Sequence, residues 1–153
     1  MRVVVSAILI SSTLLVYMGI TNAHMGAKGV VRERMVLMKS IGKTMKEIRK
    51  MANGKMPLES AKVASAATAI AHHGGRIGAL FPQGSVDDVS EASPKIWEDP
   101  AGFKRSTDLL MKTANDLFAA AQSNDPAKVK SAFRSLGRTC SSCHTDFRIK
   151  KAK

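Results

Sequence analysis

The sequence is poor in cysteine, aromatics and acidic residues, and each shortage removes a class of function. Cysteine occurs only twice in 153 residues, and both copies fall in one stretch, Cys140-Ser141-Ser142-Cys143-His144. A disulfide scaffold needs several bridges spread along the chain. A bridge between cysteines three apart closes so small a loop that it constrains little of the unfolded chain. Aromatic residues make up 5%, with one tryptophan and one tyrosine. They are not interleaved with basic residues, which excludes a stacking platform for single-stranded nucleic acid. Aspartate and glutamate number 12 against 24 lysines and arginines, a formal net charge of +12. That excess steers an acidic protein or an anionic membrane face toward the molecule, although the same charge also serves plain solubility.

The chain opens on a long apolar run. Met1-Arg2 gives a positive start, Val3 to Ile20 is almost entirely apolar, and Thr21-Asn22-Ala23 offers small residues where a signal peptidase cuts. This order of charge, apolar run and small residues reads as a secretory signal peptide over residues 1–23. The alternative is an N-terminal membrane anchor of nearly spanning length, but Ser11, Ser12, Thr13, Tyr17 and Gly19 dilute the run. Cleavage leaves residues 24–153, enough for one domain with one core and no remaining membrane span. Export also argues against a nucleic-acid partner.

Four segments of residues 24–153 carry helical periodicity, and none carries convincing strand alternation. The first spans about Val30 to Ala52, with Arg34, Met38, Ile41, Met45, Ile48 and Ala52 on one face; Asn53-Gly54 follows as a left-handed stop. The second starts near Pro57 and runs to about Gly74, where Gly74-Gly75 weakens its end. Leu80 to Asp99 reads as a long ordered loop, a feature that is uncommon in a small domain without a function. Asp99-Pro100 and Asp125-Pro126 are two cap-and-proline helix starts. They open helices striped by Phe103, Thr107, Leu110, Ala114, Leu117 and Ala121, and by Val129, Phe133, Leu136, Cys140, Cys143 and Phe147. The expected fold is all-α, an antiparallel four-helix bundle. Short connections make helices one and two neighbours, and likewise three and four.

The Cys140–His144 stretch is a C-x-x-C-H haem attachment sequence. Residues three and four apart share a helix face. Two thioethers from Cys140 and Cys143 can therefore hold a porphyrin edge while the imidazole of His144 reaches iron. Three other readings compete. A dithiol oxidoreductase places its C-x-x-C at a helix start after a strand; here the motif is late in a helix. Zinc needs further ligands, and His72 and His73 adjoin rather than share a face. A structural disulfide is the last. A single covalent haem c, with its iron, is the expected cofactor, and the domain puts it near the C-terminal helix.

With this motif at the end of a helical bundle, the chain resembles the cytochrome c′ family, the class II c-type cytochromes. The resemblance covers nearly all of residues 24–153. It rests on Arg34, Met38-Lys39-Ser40-Ile41-Gly42 and Met45-Lys46; on Leu80-Phe81-Pro82 and Ser93-Pro94-Lys95-Ile96-Trp97 leading into Phe103; and on Gly137, Cys140, Cys143-His144 and Phe147-Arg148. It implies a periplasmic bacterial haem protein, not an enzyme, often a homodimer packed through its first two helices. The family divides by what faces the histidine across the haem. The matching residue here is Met38, and the surrounding residues resemble the low-spin subgroup in which a methionine ligates iron. The leading expectation is therefore a one-electron carrier with His144 and Met38 on iron, exchanging electrons with redox proteins acidic at the contact face. A thioether ligand raises the potential and seals the sixth position. The alternative is a five-coordinate protein binding nitric oxide or carbon monoxide, with Met38 only packing. A thiol–disulfide oxidoreductase using the two cysteines is the enzyme-class competitor.

Two arginines complete the candidate site. Arg148, one turn after His144, is in reach of the histidine side or a haem propionate; the bland reading is part of a basic tail. Arg34, one turn before Met38, could pair with a propionate or lie exposed on its helix. Trp97 reads as packing for the long loop, or a lid over the haem edge. His72 and His73 read as surface or interface residues, with His72 as a remote sixth-ligand candidate.

Overall fold

The computed structural model describes residues 26–150; the expected signal segment and its cleavage point lie outside them. Five helices follow in order: α1 Gly29–Ala52, α2 Ser60–Ile77, α3 Lys95–Glu98, α4 Pro100–Gln122 and α5 Pro126–Phe147, with a 3-10 turn at Gly78–Leu80 after α2. The four long helices make the expected bundle. Among the described residues the sole β feature is one isolated antiparallel bridge, Ala92 to Arg148.

Local chemistry sets the helix ends. Asp99 caps α4 by accepting from Gly102 N at 2.8 Å, and Asp125 caps α5 by accepting from Ala127 N at 2.8 Å and Lys128 N at 3.3 Å; a proline follows each cap. Both satisfy amides that a helix start leaves without partners. Gly54 ends α1 with φ +70, the left-handed turn that glycine adopts without a Cβ penalty.

Two details differ from the sequence reading. The second helix begins at Ser60 rather than Pro57, and continues through Gly74-Gly75 to Ile77. Tertiary packing outweighs the propensity cost: Gly74 is buried, and a Cβ there would stand 2.9 Å from Met111 Cγ, so the glycine lets α2 lie close on α4. The long loop also holds the single-turn helix α3. Trp97 in it donates from Nε1 to the carbonyls of Phe81 and Pro82, each at 3.1 Å. That fits its reading as packing for the loop.

The core runs the length of the bundle, with Ile48, Val63, Ile70, Leu117, Val129 and Leu136 almost fully buried. Packing is most extensive between α2 and α4, then between α4 and α5. Contact between α1 and α5 is thin. Four residues of those two helices are only half-buried at the edge of the core: Met38 and Met45 on α1, Cys140 and Cys143 on α5.

Candidate functional site

The two cysteines lie in the last third of α5, three residues apart and so on one face. Both are free thiols, half-buried. Cys140 donates from Sγ to the carbonyl of Leu136 at 3.3 Å. Burial pushes the Cys140 thiol pKa above its ordinary value. Burial does the same for Cys143, with Cys140 and Asp146 adding to the rise. An activated redox cysteine needs the opposite shift and a helix N-terminus, so the dithiol reading fits poorly. Among the described residues no group of three or more histidines, cysteines and acids could hold a metal ion, which leaves a zinc reading without a ligand set.

His144 follows directly and is largely exposed. Its pKa is lowered, first by partial desolvation and then by Arg148, with Glu91 opposing. A neutral imidazole is the form that binds a metal. Two free thiols able to form thioethers, followed directly by one imidazole able to bind iron, on a thinly covered apolar edge, fit haem c. The half-buried Met38 and Met45 supply an apolar wall on α1, and Phe133 and Phe147 are buried in α5.

The structure brings Arg34 and Arg148 to one loop. Arg34 is only 4% exposed. It donates from Nη1 to Ser85 Oγ at 2.9 Å and to the Leu80 carbonyl at 3.4 Å. From Nη2 it donates to the Ser85 carbonyl and to Ser90 Oγ, both at 2.6 Å. Its guanidinium also lies 4.7 Å from the Phe81 ring centroid. The exposed reading is overturned: Arg34 is buried, and its hydrogen bonds clamp the loop at Ser85 and Ser90 and the turn that ends at Leu80. Desolvation lowers its pKa, and Asp87 offsets part of that. Arg148 is half-exposed. Its Nε donates to Glu91 Oε2 at 2.6 Å, and Nη2 pairs with the same oxygen.

Ser85, Ser90 and Glu91 were not legible as site residues, because a loop has no periodicity to mark which side chains turn inward. His73 approaches Ser40 Oγ at 3.4 Å from Nε2, in an open groove of about 520 Å³ between α1 and α2 that includes Arg32 and Arg76. A second cavity of about 230 Å³ lies beside Phe81, Trp97 and Phe103. Neither is lined by the C-x-x-C-H residues.

Comparison with known proteins adds the family. The family model described as Cytochrome C′ matches residues 29–148. A cytochrome c-556 from Agrobacterium fabrum is 35% identical over 125 residues, covering 82% of this chain and 84% of that protein. A cytochrome c′ from Rhodopseudomonas palustris is 36% identical over 125 residues, covering 80% and 84%. Among solved structures, a nitric oxide complex of a cytochrome c′ variant from Alcaligenes xylosoxidans aligns with TM-score 0.73 at 25% identity, over 79% of this chain and 94% of that one. The cytochrome c′ of Shewanella frigidimarina aligns with TM-score 0.73 at 27% identity, over the same shares. The match takes in all five helices and the C-x-x-C-H residues, and the chain therefore belongs to the cytochrome c′ family, whose members bind one haem c covalently.

Proposed function

We propose that Cys140 and Cys143 would carry the haem, that His144 would ligate its iron, and that Met38 would not, leaving the iron open to nitric oxide or carbon monoxide. Bound there, the haem supplies an iron that can take up a diatomic gas or pass one electron. The chain's residues do the rest. Two sulfurs fix the cofactor so that it is not lost in an open compartment, and one imidazole holds the metal from α5. Met38, on α1, packs as a flexible apolar side chain that excludes water. The observation that carries the open-site reading is the likeness to a solved cytochrome c′ that holds nitric oxide. This reverses the weighting expected from the sequence, in which Met38 ligates iron and the protein is a low-spin electron relay.

In this reading the protein is a binding and relay protein rather than an enzyme. Segment 1–23 directs it to the periplasm, and no described helix is long and apolar enough to cross a membrane. Its basic surface favours acidic redox partners, and pairing of two copies remains the family's implied assembly.

The test is expression with haem-maturation machinery. Colour that survives acid–acetone extraction, and is lost on replacing both cysteines by alanine, supports the attachment. Broad ferrous bands that shift with carbon monoxide support the open site. Sharp, split bands indifferent to the gas would return the relay with Met38 bound. Colourless protein with two titratable thiols would end both.

A further inference from the structure

The loop between α2 and α4 carries one acid, Glu91, to the end of α5, the helix that holds His144. Ser93 N donates to the Phe147 carbonyl at 3.0 Å, and Ile149 N donates to the Glu91 carbonyl at 2.9 Å. These two bonds frame the Ala92–Arg148 bridge. Arg148 leaves α5 in an extended conformation, φ −126 and ψ 132, and its side chain meets the Glu91 carboxylate through Nε and Nη2. The acid is held from behind as well. Its neighbour Ser90 is 5% exposed and accepts from Arg34. Asp87 Oδ1 accepts from the amides of Val89 at 3.1 Å and Ser90 at 2.8 Å. The carboxylate is thus presented from a rigid turn.

The pair is too exposed to be explained by stability. Its side chains are 46% and 36% exposed, and ion pairs of that kind contribute little to folding. Its location is the informative part. Arg148 is the first residue beyond α5, four positions after His144, so the pair closes the end of the helix that carries the histidine. Without a partner, a flexible cation carrying five N–H donors would be free to approach the imidazole. What lies around the non-ligating nitrogen of a metal-bound histidine sets its orientation and basicity.

We propose that Glu91 is a positioning residue for His144: it holds the Arg148 guanidinium on the loop side and so fixes the charge and donors offered to the imidazole. This rests on His144 as the iron ligand, but not on whether the sixth position is open.

The experiment reads the hyperfine-shifted ring protons of His144 in ferric, haem-loaded protein, a signal available in either coordination state. Glu91→Gln should displace those resonances more than the haem methyls, and Glu91→Asp should recover part of the displacement. In an Arg148→Gln background, Glu91→Gln should leave them in place, because the group it controls is gone. Unmoved resonances in Glu91→Gln, or an equal displacement in both backgrounds, would overturn the positioning role. Protein without attached haem would overturn it together with the attachment. Indifference to carbon monoxide would count against the open site alone and leave this inference standing if the resonances move as stated.

Discussion

Nη2 of Arg34 donates to Oγ of Ser90 at 2.6 Å across 56 positions of sequence. With the contacts to Ser85 and the Leu80 carbonyl, this makes one α1 side chain the anchor of the loop that reaches Arg148. Arg34→Ala strands those buried acceptors and leaves a hole where the guanidinium was. The expected cost is about 3 kcal/mol, read from urea unfolding of the haem-loaded protein. New protease cleavage should appear between residues 82 and 90. Arg34→Lys should recover only part of the loss, because a single ammonium cannot reproduce the planar fork. An unchanged unfolding midpoint in Arg34→Ala would mean the clamp is not the residue's role.

Met38 decides between the two readings of the iron site. If it only packs, Met38→Ala leaves the ferrous spectrum broad and strengthens carbon monoxide binding, since a side chain is removed from the ligand's path. If it ligates, the same substitution turns sharp bands into broad ones. Spectra recorded before and after the substitution, with and without the gas, separate the two.

Gly74 and Met111 mark the closest approach of α2 to α4. Gly74→Ala gains about 1 kcal/mol of helix propensity. It also drives a methyl to 2.9 Å from Met111 Cγ and 3.5 Å from Leu110 Cδ2, an overpacking typically worth about 1–3 kcal/mol. We expect a net loss of about 1 kcal/mol in thermal unfolding. A gain in stability would show that Met111 moves aside without cost.

The Asp125 carboxylate caps α5 far from the cysteines, about 22 Å along the helix from Cys140 at 1.5 Å per residue. Asp125→Ala should cost about 1 kcal/mol and leave the haem spectrum as it was. A spectral change would mean that fraying at the start of α5 reaches the attachment site, contrary to the local character of a cap.

The elements legible in the sequence are those written in neighbouring residues. Asp99-Pro100 and Asp125-Pro126 announced two helix starts because cap and proline act over three or four positions. The stripe from Phe103 to Ala121 is buried as its spacing implied. Gly74-Gly75 misled, because glycine propensity is a local quantity while the close approach to Met111 is not. Arg34 was legible as sharing a face of α1 with Met38 and Ile41, but neither its burial nor its partners were. Ser85 and Ser90 lie in a segment without periodicity, and only the folded loop brings their oxygens to the guanidinium.

By itself the sequence determined the four-helix plan and the chemistry available to it. Repeat spacing fixes which helix faces are apolar, and Cys140, Cys143 and His144 are set one turn apart by the geometry of a single helix. Tertiary structure alone decided what surrounds that motif. The thin contact between α1 and α5, the loop drawn down by Arg34, and the meeting of Glu91 with Arg148 all depend on residues tens of positions apart. Contacts of that kind arise from the packing of whole elements, which no local pattern encodes.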